Sequence, residues 1–464
     1  MEGIKTAAQV PDQSSGFSVA LAEKVLSLAT NLGLKEHWKE LGFGNVTRRS
    51  SAYRAEQRIQ AVLAGLACGL RGVAPGNLLV RPNSAMQQRL GGSFPDQGTI
   101  HRWLDQITAE QATKIRSHLH QVVRQHGRFR QELWSGRKLV VDMDGQGLAA
   151  RGPRFEHASG GYFAGKIDKG YQRYVCYVGK TGDVLDELLV SGNRTAMSVL
   201  PEMVAGLNEV FAPEERSRVV LRGDAHFGTV AGLITMKEAG YHYVCPLLSH
   251  WAKKKLKQHV STRRGRWFAF TDRKGNVRRV QCWQVGRWQL RDRNRKRLVR
   301  PYATVYCSQP PKGKEAWTVL LSDQKPPAAQ RLWHEYHERG GTIEEYNDQS
   351  ERAYHLEIMR TGNFAGLNAL QALVGLCWNL TRWSTEELTL PPVQAPQADS
   401  ASWVPASAMD MSQLIQRAQH SGLRLYRPTP TGRLEVENTA ATPESETWLH
   451  LLQQPIQQRL RLAG

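Results

Sequence analysis

Apolar and polar positions change rhythm several times along this chain. Residues 1–52 mix Gly, Ser, Gln and charge around one apolar stretch, residues 19–34, which has the makings of a helix within a loosely attached arm. From residue 53 to about residue 131 apolar side chains recur at helical spacing. Ile59, Val62, Leu63 and Leu66 form one stripe, and Ile100, Trp103, Leu104 and Ile107 another. The pattern predicts an all-helical module over residues 53–135. Inside it, Asp96-Gln-Gly-Thr99 has the residues of a helix cap and puts His101 and Arg102 on the first turn. A DNA-reading helix starts this way, and so does an ordinary packing helix with two solvent-facing bases.

The rhythm then shortens. Residues 138–144 are an apolar run that ends in carboxylates, and residues 171–179 and 184–190 follow as two more strands. A helical stretch at 198–211 precedes residues 218–224, a second apolar run that ends in an acid. Residues 229–239 are helical again and 241–245 strand-like. Adjacent strands followed by alternating helix and strand predict an α/β layer structure with a mixed sheet flanked by helices. Strand patterns return at 267–270, 277–285, 302–306 and 317–321. A long helical segment begins near Ala328, carries Glu344 and breaks at Gly340-Gly341; a further helix covers 364–383. Residues 390–396 are a Pro-rich linker, and the remainder is a small helical region.

Charge alters this picture. The chain has 464 residues, with 62 Lys and Arg against 42 Asp and Glu, a formal net charge of +20. Residues 251–300 alone hold 18 Lys and Arg against Asp272 and Asp292. Such density calls for a polyanionic partner, nucleic acid first. No run of about 18 apolar residues offers a membrane span, and residues 1–16 lack the features of a signal peptide. The expected location is therefore the cytoplasm. Six scattered cysteines without a C-x-x-C pair are expected as buried thiols.

Asp142 and Asp144 lie two apart on one strand, so both face the same side, where they repel unless a cation neutralises them. Oxygen ligands of this kind suit Mg²⁺ or Mn²⁺; a solvated strand end is the simpler alternative. Asp224 ends the second apolar strand behind Gly223, at the edge where open α/β sheets place ligands, or else as the cap of a helix. Glu344 alone reads as one more solvated helix glutamate.

In combination these residues resemble the D-D-E core of RNase H-like transposases, in particular the IS4 and IS1380 groups of insertion-sequence enzymes. The resemblance rests on Val140-Val-Asp-Met-Asp-Gly145, Leu221-Arg-Gly-Asp-Ala-His-Phe227, Tyr336-His-Glu-Arg-Gly-Gly-Thr-Ile-Glu-Glu345 and Gly170-Tyr-Gln-Arg-Tyr174. It implies Asp144, Asp224 and Glu344 as catalytic ligands of two Mg²⁺ or Mn²⁺ ions, with Asp142 and Glu345 as alternates. Tyr336, Arg339 and Arg352 fall at or near the family's DNA-contacting positions, although one extra residue separates Arg339 from Glu344. The resemblance further implies cleavage at the ends of an element and strand transfer into target DNA. The expected partners are double-stranded DNA, as ends and as target, and a second copy of the chain in a synaptic complex, on the nucleoid of a bacterial cell. An RNase H-like core over 136–250 and 316–385 would then carry a helical end-binding domain (53–135), a basic strand-rich insertion (251–315) and a C-terminal region (386–464). Within the insertion, Arg263, Arg264, Arg278, Arg279, Arg291, Arg293, Arg295 and Arg297 are expected on phosphates beside the cut. Trp267, Trp283 and Trp288 are either base-stacking platforms or a small core. The competing functions are a nuclease or resolvase of the same fold without strand transfer, and a domesticated relative that only occupies DNA.

Overall fold

The computed structural model describes residues 18–41, 53–163, 166–272, 275–292, 296–309, 314–391, 403–421, 423–428, 434–438 and 442–453. They form two compact units. One comprises Met1–Ile107, Gln349–Thr361 and Leu380–Gly464, the other Thr108–Asp348 and Gly362–Asn379.

The first unit opens with α1 (Ala20–Asn31), α2 (Leu34–Glu40), α3 (Ala55–Ala67), α4 (Gly76–Leu79), α5 (Ser84–Arg89) and α6 (Gln97–Gln106). Where the apolar pattern suggests an arm, α1 buries Leu21, Val25, Leu26 and Leu28 and packs on α3. Asp96 caps α6 by accepting the Thr99 N–H at 2.7 Å, as its sequence predicts.

The second unit contains α7 (Ala109–His126), α8 (Phe129–Trp134) and the strands β1 (Leu139–Ala149), β2 (Ser159–Phe163), β3 (Lys166–Val178) and β4 (Asp183–Ser191). Then come α9 (Ala196–Val210), α10 (Pro213–Arg216), β5 (Val219–Gly223), α11 (Val230–Glu238) and β6 (His242–Pro246). The basic stretch begins with a helix, α12 (His250–Ser261), followed by β7 (Arg266–Thr271), β8 (Val277–Arg287), the short pair β9 (Leu290–Arg291) and β10 (Leu298–Val299), and β11 (Tyr302–Gln309). β12 (Ala316–Ser322), α13 (Ala329–His337), a 3₁₀ turn (Glu338–Gly341), α14 (Ile343–Tyr354) and α15 (Phe364–Ser384) follow. The last two helices continue into the first unit.

One sheet of ten strands unites these elements in the order β2-β3-β1-β5-β6-β12-β11-β8-β7, with β4 beside β3. Only β1–β5 and β5–β6 are parallel. This is the mixed sheet flanked by helices expected of an RNase H-like core. Of the strands in the basic stretch, β7, β8 and β11 extend this sheet through β12, while β9 and β10 pair only with each other.

Strand alternation gives the sheet two unlike faces. Leu139, Val141, Met143, Val219, Leu221, Tyr243 and Cys245 are all buried on one of them. The other carries Asp142 and Asp144, with Arg222 paired opposite Asp142. Farther along this acid-bearing face, Val280, Cys282, Tyr306 and Leu320 form a core with Leu332 and Trp333 of α13. All six cysteines are buried, and none forms a disulfide.

Past α15 the first unit resumes with β13 (Thr389–Leu390), β14 (Val404–Pro405), α16 (Met411–Gln419), the hairpin β15 (Leu423–Pro428) and β16 (Leu434–Asn438), and α17 (Pro443–Gln453). Its two stretches interlock: Ser18 N–H donates to Gln419 O at 2.8 Å, and Lys24 Nζ donates to Leu451 O at 2.5 Å.

Candidate functional site

A strand, the turn after a second strand and the start of a helix bring the sequence's acids to the acid-bearing face. Asp144 lies midway along β1, with 16% of its side chain exposed. The next residue has to be glycine, because a Cβ on Gly145 would come within 2.6 Å of the Tyr174 ring. Asp224 follows β5 directly. Gly223 before it leaves room for the Phe227 ring, which a Cβ would meet at 2.6 Å, and the turn is closed by His226, whose N–H donates to Asp224 Oδ1 at 2.8 Å while its Nδ1 lies 3.0 Å from Oδ2. Glu344 sits on the first turn of α14, largely exposed.

Arg339, on the 3₁₀ turn, ties the set together. Its Nη2 donates to Asp144 Oδ1 at 2.5 Å and to Met143 O at 3.2 Å, and its Nη1 lies 3.4 Å from Glu344 Oε1. Asn347 Nδ2 donates to the other Asp144 oxygen at 3.1 Å. Burial pushes the Asp144 carboxyl above the usual carboxylate range; Arg339 pulls it back, and the nearby Asp224 charge adds to the rise. Burial also works against the Arg339 charge, but Asp144, Asp224 and Asp142 outweigh it. Carboxylates are therefore crowded around a single, nearly buried guanidinium.

Asp142 has a different task. It is fully buried and holds Arg222 through two bonds, Nε to Oδ1 at 2.5 Å and Nη2 to Oδ2 at 2.8 Å. Thr342 Oγ1 donates to Asp142 Oδ2 at 2.5 Å, and Arg222 Nη1 reaches Glu335 O on α13. Each member of this buried network precedes one of the three acids by two residues: Asp142 before Asp144, Arg222 before Asp224, Thr342 before Glu344. The network thus links the backbones that present the acids.

A second anchor lies one turn farther along α14. Tyr346 hydroxyl donates to Glu187 Oε1, and Arg173, fully buried, pairs with Glu187 at 2.7 Å and donates to the Tyr346 oxygen at 3.0 Å. Tyr346 also stacks on Tyr177 with ring centroids 4.9 Å apart. Arg173, Glu187, Tyr346 and Asn347 carry no signal of this role in the sequence beyond Arg173's place in the Gly170-to-Tyr174 stretch. Only the sheet register, which puts Arg173 opposite Gln146 and in line with Asp144, reveals it.

The remaining sequence candidates scatter. Glu345 is exposed, on the position after Glu344. Tyr336 is partly buried beside the α13 core, and burial, with Asp224 and Glu344 adding to it, raises its hydroxyl pKa. Arg352 belongs to the other unit, where it pairs with Asp410 at 2.9 Å. His101 and Arg102 are exposed on α6, His101 paired with Asp105 at 2.8 Å. Arg263, Arg264, Arg279, Arg291 and Arg297 are exposed, and Arg278 pairs with Asp272 at 2.9 Å; Arg293 and Arg295 lie outside the described residues. The tryptophans divide. Trp283 is buried, donates its indole N–H to Arg263 O at 3.1 Å and stacks on Trp317, while Trp288 packs against His259. Trp267 is 43% exposed.

Among the described residues, no group of three or more His, Cys, Asp and Glu side chains stands close enough to hold a metal ion. The donor set nevertheless suits a hard divalent cation: Asp144 and Asp224 offer carboxylate oxygens within electrostatic reach of each other, and Arg339 already supplies them with positive charge. No helix among the described residues is long and apolar enough to cross a membrane.

Residues 135–380 match the family model described as "Transposase DDE domain", just over half of the chain. No curated protein matches. Among solved structures, a piggyBac transposase synaptic complex with hairpin DNA is similar at 12% identity, over 97% of this chain and 84% of that one, with a TM-score of 0.42.

Proposed function

Because this chain belongs to the DDE transposase family, we propose that it cuts DNA at the ends of a mobile element and joins the freed 3′ hydroxyl to target DNA. The observation that carries this reading is the convergence of Asp144 and Glu344 on Arg339, with Asp224 in electrostatic reach. Asp144 and Asp224 would hold the divalent ions, with Glu344 as the third ligand. When bound, two such ions activate the attacking oxygen and stabilise the leaving one in an in-line displacement at phosphorus.

The protein's own residues supply placement. Asn347 and Arg339 each take one oxygen of Asp144 and so fix the plane of its carboxylate; His226 and its own N–H do the same for Asp224. Second partners of this kind orient ligands and commonly matter about 10- to 100-fold. Arg339 also keeps the acids compatible with one another before cations and phosphate arrive, and a planar guanidinium is suited to receive a DNA phosphate in their presence. The Asp142–Arg222–Thr342 network, in which Asp142 and Arg222 are buried, serves as the frame. Two ends handled together imply a dimer.

The test is product analysis. The full chain is incubated with Mg²⁺, DNA carrying the element's flanking repeats, and a plasmid target. This reading expects cut ends and covalent joints to the target. Cut ends without joints would indicate a nuclease of the same fold. Binding without cutting would indicate a protein that only occupies DNA.

A further inference from the structure

Of the eight large apolar side chains exposed among the described residues, five lie between positions 248 and 298: Leu248, Trp251, Trp267, Val277 and Leu298. All but Leu248 lie in residues 251–300, where 18 Lys and Arg stand against two acids. Exposed aromatic and cationic groups in one place are not explained by folding. Folding buries the former, and the latter repel unless an anion lies between them.

The sheet shows where this surface faces. Trp267 pairs across the ladder with Gln281, Gln281 with Cys307, and Cys307 with Trp317, so all four side chains point to the same side. Val280, Cys282 and Tyr306 occupy alternate positions and face α13, on the acid-bearing side. The Trp267-to-Trp317 row therefore lies on the back of the sheet, away from Asp144. At neighbouring strand spacing it spans roughly 14 Å. α12 packs over β11 and β12 on this side, as Lys257 shows by standing 4.5 Å over the Trp317 ring. Arg279 lies 4.9 Å over Trp267 at the other end of the row, and on the outer side of α12 Lys255 lies 3.7 Å over Trp251. The outermost strands thus offer an indole floor beside a helix rich in lysine.

We infer that this back surface, Trp267 and Arg279 with Lys257 at its inner end, binds an unpaired DNA strand, separately from the acid-bearing face. An unstacked base offers a π-face to Trp267 while its phosphates meet Arg279 and Lys257; sequence-tolerant binding of single strands uses this combination. In a paired duplex the bases are stacked on one another and withhold those faces. The partner, though not the chemistry, rests on the transposase reading, in which strands are opened beside the cut.

The experiment titrates the full-length protein, in EDTA, into labelled 20-nucleotide oligo(dT) and into a 20-base-pair duplex of arbitrary sequence, at several salt concentrations. Trp267→Ala should weaken oligo(dT) binding by about ten-fold or more and duplex binding little, with Trp267→Phe restoring most of the loss. Lys257→Gln with Arg279→Gln should flatten the log-log salt dependence for oligo(dT) by roughly 0.7 per lost phosphate contact. Unfolding midpoints check each variant; should Trp267→Ala not fold, the double Gln variant, altered only at exposed positions, decides. An unchanged salt slope, a Phe variant no better than Ala, or equal losses on duplex and single strand would each overturn the assignment. If the parent binds oligo(dT) through Trp267 yet never cuts element ends in Mg²⁺, the transposase reading fails while this surface stands.

Discussion

Asp142 and Asp144 are the same residue type on the same face of one strand, and only their partners separate them. A carboxylate with both oxygens committed to Arg222 and Thr342, and no solvent exposure, is a framework ion pair. Removing one partner from such a pair leaves the other charge buried, which costs on the order of 3–5 kcal/mol. Asp142→Asn is therefore expected to lower the urea midpoint strongly, and replacing Asp142 and Arg222 together by apolar residues to recover part of the loss. A variant as stable as the parent but unable to cut would instead make Asp142 a ligand. At the neighbouring pair, Glu344→Gln is expected to abolish cutting and Glu345→Gln to retain part of it, because consecutive helix residues point about 100° apart and Glu344 is the one within reach of Arg339. The reverse ranking in a cleavage assay would move the site by one position. Alternation alone showed that two acids share one face of a strand, although β1 runs on past them to Ala149. It could not show which member was taken, since Arg222 is 80 residues away in the chain and Thr342 200.

At the scale of elements, the segment from α13 to α14 is where local pattern and tertiary demand meet. The break read from Gly340-Gly341 is present as a 3₁₀ turn, and it accommodates the extra residue between Arg339 and Glu344 while letting one guanidinium reach both Asp144 and Glu344. Thr342→Val keeps the shape and removes the hydroxyl bonds to Asp142 and Arg339 O. It should slow cutting by about 10- to 100-fold while leaving DNA affinity near the parent's; an equal loss of affinity would mean that α14 itself had moved.

The α7, β4 and α9 junction gives a pH signature. His120 is buried between Asp186, at 2.8 Å, and Glu209, at 3.0 Å, with Arg116 also on Asp186 and Cys176 close by. Burial opposes its charge, but Asp186 and then Glu209 prevail, so its folded pKa lies above the ordinary 6.5. A raised pKa contributes stability fully below the unfolded value and loses it as pH rises through the folded one. Asp186, whose pKa is held low, remains ionised throughout that window. Urea unfolding from pH 6 to pH 9 should show the parent's advantage over His120→Asn shrinking as pH rises; a constant or growing advantage would contradict this.

The whole molecule shows what a linear reading misses. Strand and helix rhythms located the α/β core and both acid-bearing strands, because those depend on local alternation. The N-terminal stretch looked like an arm since its partners, Gln419 and Leu451, lie some 400 residues later. The basic stretch reads as a strand-rich insertion, and nothing local tells that β11 pairs with β12 and β12 with β6, so that β7, β8 and β11 extend the main sheet. The same continuity places Trp267 behind the sheet rather than beside Asp144, and puts Trp283 in a stack with Trp317. The net charge of +20 belongs to this scale as well: binding to DNA of any sequence should weaken steeply with salt.

The central claim is that Asp144 and Asp224 serve the cutting step and not the grip on DNA. The most direct measurement takes Asp144→Asn and Asp224→Asn beside the parent, with end DNA at saturating protein, and follows binding and Mg²⁺-dependent strand cleavage in the same samples. Both variants are expected to hold the DNA with nearly the parent's affinity and to produce no detectable cut. Mg²⁺-dependent cutting by either variant at a rate near the parent's would contradict the account.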